Sequence, residues 1–167
     1  IAILDSGINP DHPDIKGRIV VSENFVPNET NTSDPFGHGT HVSIAAAGNA
    51  TASTGNSYIH TFRGIAPRAQ VANLRVLDAN GQGTDSSVIA AIDRAIQLKS
   101  LYNIRVLNLS LGRSVMESYA LDPLCAAVER AWNAGIVVVV AAGNNGRDNS
   151  VGTSGYGTIS SPGNSPY

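Results

Sequence analysis

The sequence has very little cysteine, with Cys125 as its single thiol in 167 residues. One thiol cannot form an internal disulfide, and it cannot supply the several cysteines of a structural metal site. We expect Cys125 to lie on the apolar face of a helix, as a small residue of the core. The redox compartment stays open, because many secreted bacterial proteins also lack disulfides.

Charge of one sign is also scarce. Lysine and arginine total 11, aspartate and glutamate total 13, and the formal net charge is −2 with a pI near 6.0. A chain without a basic excess lacks the electrostatic footprint of nucleic-acid binding or of binding to anionic membranes. The longest apolar run, residues 136–142, is far shorter than the ~20 residues that span a bilayer. We therefore predict no nucleic-acid partner and no membrane partner.

The sequence does contain a large apolar fraction, 42%, together with 17 glycines and 8 prolines. This composition is typical of one globular α/β domain and excludes a disordered chain. The chain begins with an apolar segment, Ile1–Leu4, without a start methionine or a signal sequence, and its last residues predict a loop. We expect an internal or trimmed piece, a partial domain over residues 1–167.

Short apolar segments alternate with segments of helical periodicity. Strands are predicted at Ile1–Leu4, Arg18–Val21, Gln70–Val76, Ile104–Leu109 and Ile136–Ala141. Helices are predicted at His38–Ala47, Asp85–Leu101 and Pro123–Ala134. Residues 28–36 and 49–58 are predicted loops. Val137–Val140 has no polar alternation, as expected of a strand covered on both faces.

This alternation predicts a three-layer, doubly wound α/β fold with a mostly parallel sheet and helices on both faces. We expect the fold to be incomplete at its C-terminal end. Reactive groups in such sheets gather at the carboxyl ends of the strands. Three polar signatures follow predicted strands or open a predicted helix here, and each has a functional and a structural interpretation.

The first signature is Asp5-Ser6-Gly7, directly after the first predicted strand. A carboxylate there lies near the buried edge of the sheet, and buried carboxylates are uncommon unless they are paired or hydrogen-bonded. An aspartate that only caps its own turn explains this motif about as well.

The second signature is His38, which stands between two glycines at the start of a helix of small residues. A histidine in this position can exchange a proton near neutral pH and take its tautomer from a carboxylate. A structural hydrogen bond is the alternative, and we favour it for His41. A zinc site at His38 and His41 is weakly supported, because their spacing is not His-x-x-x-His and no third ligand is apparent.

The third signature is Asn144, which follows an apolar strand and the residues Ala141–Gly143. An amide side chain there can donate a hydrogen bond to a developing negative oxygen. An asparagine that only forms the turn is the structural alternative.

Taken together and in this order, the three signatures resemble the subtilisin-like serine proteases, the subtilases. The resemblance extends over four further segments, Gly64–Pro67, Leu74–Asp78, Val106–Gly112 and Ala134–Asn144. It implies that Asp5 orients and stabilises a protonated His38, that His38 is first general base and then general acid, and that Asn144 donates to the oxyanion. It implies no cofactor for the chemistry.

The resemblance also implies a cleft for an extended polypeptide substrate. The substrate would be held mainly by backbone hydrogen bonds, as in strand addition. For Ser110, a hydroxyl that merely follows a strand is the plainer interpretation. The implied lining residues are Gly81, Gln82, Gly83, Ser110, Leu111, Gly112, Ala141, Ala142 and Gly143.

Some subtilases hold calcium in a loop after the histidine helix. Asp14 resembles one carboxylate ligand of that site, but residues 49–58 supply no recognisable matching ligands. Calcium needs six to eight oxygen ligands. Structural calcium at Asp14 is therefore the less favoured of the two interpretations.

The family's nucleophile lies in Gly-Thr-Ser-Met-Ala at the start of a long helix, several dozen residues beyond the oxyanion asparagine. Gly152-Thr153-Ser154 follows Asn144 too closely, and the glycines and proline after it are incompatible with a helix. We assign Ser154, Ser160 and Ser161 to a loop and predict that the nucleophile lies beyond Tyr167. The parent protein is thus predicted to be a serine endopeptidase, and this chain alone to be inactive.

Two other functions are alternatives. A dinucleotide-binding domain would use Gly81 and Gly83, but Ser86 stands at the third glycine position and no acidic residue ends a following strand. An inactive subtilase-like scaffold that only binds peptides is compatible with the missing serine, although the three signatures argue against it.

The implied partners are polypeptide substrates and the remainder of the catalytic domain, with a propeptide as a further candidate. The remainder would supply another strand, the serine helix and covering helices. Without it, we expect apolar surface to be exposed and the chain to associate. The resemblance implies an extracellular or periplasmic location.

Overall fold

The computed structural model describes residues 1–150, 152 and 154–167. The strands in this part of the chain are β1 (Ala2–Asp5), β2 (Ile19–Asn24), β3 (Val71–Arg75), β4 (Val106–Leu109) and β5 (Val137–Val140). The helices are α1 (His38–Ala47), α2 (Asp85–Tyr102) and α3 (Pro123–Asn133), with a short 3-10 helix at Thr51–Ser53. Every predicted strand and helix is present.

The five strands form one parallel sheet in the order β2-β3-β1-β4-β5. β1 lies at its centre and pairs with β3 on one side and β4 on the other, so the strand order reverses beside β1. The predicted doubly wound α/β fold is confirmed. Ligands bind in such folds outside the carboxyl ends of the strands at this switch point. Asp5, the last residue of β1, lies there.

Helices cover both faces of the sheet because the side chains of each strand alternate between the faces. Ala2 and Leu4 of β1 belong to the apolar cluster that α2 and α3 complete. Ile3, between them, belongs to a second cluster that includes Ala47 of α1. The layers are therefore α1, the sheet, and the α2–α3 pair.

The N-terminal end of α3 ties together three segments at the carboxyl edge of the sheet. Asp122 caps this helix by accepting a hydrogen bond from the backbone N–H of Leu124, at 2.9 Å. The same buried carboxylate lies 3.1 Å from the guanidinium of Arg113 and accepts the hydroxyl of Ser161 at 2.7 Å. These contacts fix the segments after β4 and β5 against α3.

The expectation that Val137–Val140 is covered on both faces is wrong. Val138 and Val140 pack against the core, but Val137 is 52% exposed and Val139 is 48% exposed. The reason is that α1 packs over β1 and β3 and leaves this face of β5 uncovered. Apolar surface is thus exposed on the sheet.

Among the helices in the described residues, none combines the length and the apolar character needed to cross a membrane.

Candidate active site

The end of β1 and the start of α1 bring Asp5 and His38 into contact. Nδ1 of His38 lies 2.8 Å from Oδ1 of Asp5 and 2.9 Å from Oδ2. Asp5 is 1% exposed, whereas the side chain of His38 is 40% exposed. Because Nδ1 faces a buried carboxylate, Nδ1 carries the hydrogen and Nε2 is left as a proton acceptor. This pair has the geometry of an oriented general base.

Glycines on both sides of this pair allow the backbones of β1 and α1 to approach closely. A Cβ atom on Gly39 would overlap the carbonyl oxygen of Gly7 and would lie 3.0 Å from the Cβ of Asp5. Gly7 itself has a φ of 109°, which side-chain-bearing residues rarely adopt. The glycines of the first two signatures are therefore required by packing.

Asp34 is part of this site, although the sequence analysis did not identify it. Its Oδ1 accepts the hydroxyl of Ser6 and the N–H of Gly37, each at 2.7 Å, and its Oδ2 accepts the N–H of Thr40 at 2.7 Å. Burial raises the pKa of Asp34, but the hydrogen bonds from Thr40, Ser6 and Gly37 outweigh it, and the pKa is lowered. An acidic residue just before a predicted helix was the available signal.

A cavity of about 350 Å³ opens beside His38. Six of the nine predicted substrate-binding residues line it: Gly81, Gln82, Gly83, Ser110, Leu111 and Gly112. The cavity also has lining residues that the sequence analysis missed, namely Phe36, Asp85 and Arg113. Nε of Arg113 lies 2.8 Å from Oδ2 of Asp85, so an ion pair lies at the wall of this cavity.

A second cavity, of about 440 Å³, lies on the other side of Ser110–Gly112. Its opposite wall includes Ala141 and Gly143, with Asn144 beside them. The prediction that Ala142 lines the pocket is not met, since Ala142 is not among the lining residues. Its carbonyl oxygen accepts a hydrogen bond from the backbone N–H of Ser160 at 2.9 Å. Ser160 lines the cavity instead, and no sequence signal marked it.

The two cavities share the wall Ser110–Gly112, and the first contains His38 while the second contains Asn144. A peptide that runs along this wall would therefore pass the imidazole of His38 and the side-chain amide of Asn144. The model of the subtilase family matches residues 1–167. The chain belongs to the subtilase family.

Known subtilases are similar to this chain over most of its length. Serine protease AprX of Bacillus subtilis (strain 168) is 38% identical over 172 residues, which cover 98% of this chain and 35% of that protein. Thermitase of Thermoactinomyces vulgaris is 40% identical over 146 residues, which cover 87% of this chain and 47% of that protein.

A solved structure has the same fold. The crystal structure of a cold adapted subtilisin-like serine proteinase superimposes with a TM-score of 0.69 at 34% identity, over 88% of this chain and 47% of that chain. This subtilase chain thus spans between 35% and 47% of the lengths of the three relatives.

Ser154 lies in an exposed turn of this subtilase chain, with a positive φ of 55°. Its backbone carbonyl accepts hydrogen bonds from the guanidinium of Arg147, at 2.8 Å and 3.2 Å. Thr153, its neighbour in the Gly-Thr-Ser sequence, lies outside the described residues. No helix follows Ser154 in the described part of the chain, so the loop prediction for this segment is confirmed.

Asp14 is buried beside the 3-10 helix after α1. Its Oδ1 accepts the N–H of Ala52 at 2.7 Å, and its backbone carbonyl accepts the N–H of Asn49 at 3.1 Å. In the described residues, no group of three or more His, Cys, Asp or Glu side chains could hold a metal ion. Asp14 thus stabilises the loop directly, and calcium at this position stays a prediction without a matching ligand set.

Proposed function

We propose that the protein containing this chain is a serine endopeptidase, which cleaves polypeptides with Asp5, His38 and a serine outside residues 1–167. The observation that carries the proposal is the 2.8 Å contact between Nδ1 of His38 and buried Asp5, beside cavities lined by Ser110–Gly112. Membership of the subtilase family supports it. Residues 1–167 are in this proposal part of a larger catalytic domain.

In this mechanism, the serine hydroxyl oxygen attacks the carbonyl carbon of the peptide bond while Nε2 of His38 takes the hydroxyl proton. Asp5 stays ionised, keeps Nδ1 protonated and stabilises the imidazolium that forms. His38 then donates the proton to the leaving amine, and the serine retains the acyl group. Water hydrolyses the acyl-enzyme with His38 again as the base. No cofactor takes part in these steps.

The amide of Asn144 acts in the transition state. When the carbonyl carbon becomes tetrahedral, its oxygen becomes negative, and a fixed amide donor stabilises that charge more than it stabilises the neutral carbonyl. Asn144 lies in the cavity whose walls include Ser110–Gly112, Ala141 and Gly143. A peptide that pairs with Ser110–Gly112 would present its carbonyl group to this side chain.

Substrate recognition in this proposal uses two backbone segments. Gly81–Gly83 and Ser110–Gly112 line the same cavity, and an extended peptide between them would gain main-chain hydrogen bonds on both sides. The remainder of the domain would cover the exposed valines of β5. An extracellular or periplasmic location is proposed with the activity, and a propeptide is a further candidate partner.

A peptide-binding scaffold without activity is the second candidate function, and the turn at Ser154 favours it for these 167 residues taken alone. Hydrolysis of a chromogenic peptide anilide separates the two candidates. We expect the protein expressed from its complete gene to release the chromophore and to be inhibited by a fluorophosphonate, and we expect the 167-residue chain to release none. Peptide binding by the complete protein without cleavage would establish the scaffold instead, and turnover by the 167-residue chain would contradict the assignment of the serine.

A further inference from the structure

A second carboxylate, Asp34, lies behind the Asp5–His38 pair and has no part in the proposed reaction. Its Oδ1 accepts a hydrogen bond at 2.7 Å from the hydroxyl of Ser6, the residue that follows Asp5 in the chain. Through the N–H groups of Gly37 and Thr40 it binds the first turn of α1, which carries His38. One side chain is thus bonded to both segments that the pair depends on.

The loop that carries Asp34 is fastened to β3, the neighbour of β1. Arg75 at the end of β3 is fully buried; its Nη1 lies 2.8 Å from Oε2 of Glu29 and donates to the carbonyl of Asn31 at 2.8 Å. Asn73 of β3 donates to the carbonyl of Thr32 at 2.8 Å. The position of Asp34 relative to β1 is therefore set by the sheet.

The hydroxyl of Ser6 has two carboxylates within reach but only one hydrogen to donate. Its Oγ lies 2.7 Å from Oδ1 of Asp34 and 3.2 Å from Oδ1 of Asp5, and it accepts the N–H of Gly39 at 2.9 Å. The shorter contact assigns the hydrogen to Asp34. Asp5 then keeps two donors, the backbone N–H of Ser6 at 2.7 Å and Nδ1 of His38.

We propose that Asp34 is a positioning residue for the Asp5–His38 pair: it draws the Ser6 hydroxyl away from Asp5 and fixes the start of α1. The carboxylate of Asp5 consequently accepts a hydrogen bond from the imidazole and none from the Ser6 hydroxyl. This inference rests on the proposed function for its catalytic consequence. The contacts with Ser6, Gly37 and Thr40 keep Asp34 ionised.

The other charged groups near His38 do not compete with this arrangement. Asp85 and Arg113 line the same cavity and pair with each other at 2.8 Å. His41 lies one turn further along α1 and is exposed. A change in the behaviour of His38 in the variants below can therefore be attributed to Asp34 and to its effect on Asp5.

The test uses the complete protein with Asp34→Asn, Ser6→Ala and the double variant. Asparagine removes the charge and one acceptor, so the Ser6 hydroxyl turns to Asp5, which then stabilises the imidazolium less. We expect kcat to fall roughly 10- to 100-fold with little change in KM, a magnitude carried over from the hydrogen-bond partners of metal-binding histidines. We also expect the acidic limb of kcat/KM, which reports the His38 pKa, to move to lower pH.

The matched control is Asp93→Asn, because Asp93 pairs with Arg130 on exposed helix surface and its substitution should change neither kcat nor the pH profile.

The double variant distinguishes an effect of Asp34 that passes through Ser6 from a direct effect of its negative charge on His38. If Asp34 acts through Ser6, the shift caused by Asp34→Asn is smaller in the Ser6→Ala background, as a double-mutant cycle measures. An equal shift in both backgrounds, or no shift with only a loss of stability, would overturn the proposal. If Asp34→Asn does not fold, Ser6→Ala decides: with no hydroxyl left to turn to Asp5, we expect the titration of the His38 ring to stay close to that of the wild-type protein, and a shift to lower pH in Ser6→Ala contradicts the proposal.

Titration of the His38 ring by NMR in the same variants gives a readout that needs no turnover. If the complete protein does not cleave peptides, the proposed function fails, whereas the pKa shift of His38 still tests the role of Asp34. The two failures are therefore distinguishable.

Discussion

We expect the replacement of His38 with alanine to abolish peptide hydrolysis by the complete protein, with kcat lower by roughly 10⁶-fold, a magnitude carried over from subtilisin, a member of the same family. The physical reason is that Nε2 of His38 is the atom that takes the serine proton in the proposed mechanism. Nδ1 of the same ring lies 2.8 Å from Oδ1 of Asp5 and already carries a hydrogen. Steady-state kinetics with a peptide anilide measure the change. KM should change little, since the imidazole acts on the reacting atoms and not on the bound peptide.

His41→Ala is the matched control, because His41 is exposed on the same helix and the substitution removes the same ring. We expect it to retain wild-type kcat. Loss of activity in both variants to the same extent would indicate a disrupted α1 and not a missing base. A His38→Ala protein that keeps more than about a hundredth of the wild-type kcat would contradict the assignment of the general base.

We expect the replacement of Asn144 with alanine to lower kcat of the complete protein by roughly 10²- to 10³-fold, again a magnitude measured in subtilisin and carried over here. In the proposed mechanism the amide stabilises charge that exists only in the transition state, so KM should stay close to its wild-type value. The same anilide assay resolves kcat from KM. Asn133→Ala, at the exposed end of α3, is a control that removes an amide far from the two cavities.

The opposite kinetic pattern would contradict this role for Asn144. A raised KM with unchanged kcat would show that the amide binds the substrate equally well in the ground state and the transition state. Asn144 would then belong to the substrate-binding wall with Ala141 and Gly143.

The sequence predicted α1 to the residue, because a histidine between glycines followed by small residues marks a helix that packs closely on a sheet. It did not predict the extent of β2, which continues through Ser22, Glu23 and Asn24. These polar residues are held in the strand by pairing with β3, and Glu23 forms an ion pair with Arg94 at 2.8 Å. Such contacts are non-local, and apolar periodicity does not report them.

The candidate site was predicted where family motifs mark it and missed where tertiary contacts form it. Asp5 and His38 stand in such motifs, whereas Asp34 acts through contacts with Ser6, distant in sequence, and with Gly37 and Thr40 nearby. The exposure of β5 was missed for a related reason. A run of four valines is compatible with burial on both faces, and only the sheet order shows that this strand lies at an edge.

The most direct test of the account is to map by mass spectrometry the residue that a fluorophosphonate labels. We predict that the complete protein is labelled on a serine outside residues 1–167, that the label is lost in His38→Ala, and that the 167-residue chain carries none. Labelling of Ser154, Ser160 or Ser161 would contradict the account, as would an actively hydrolysing complete protein that takes up no label on any serine.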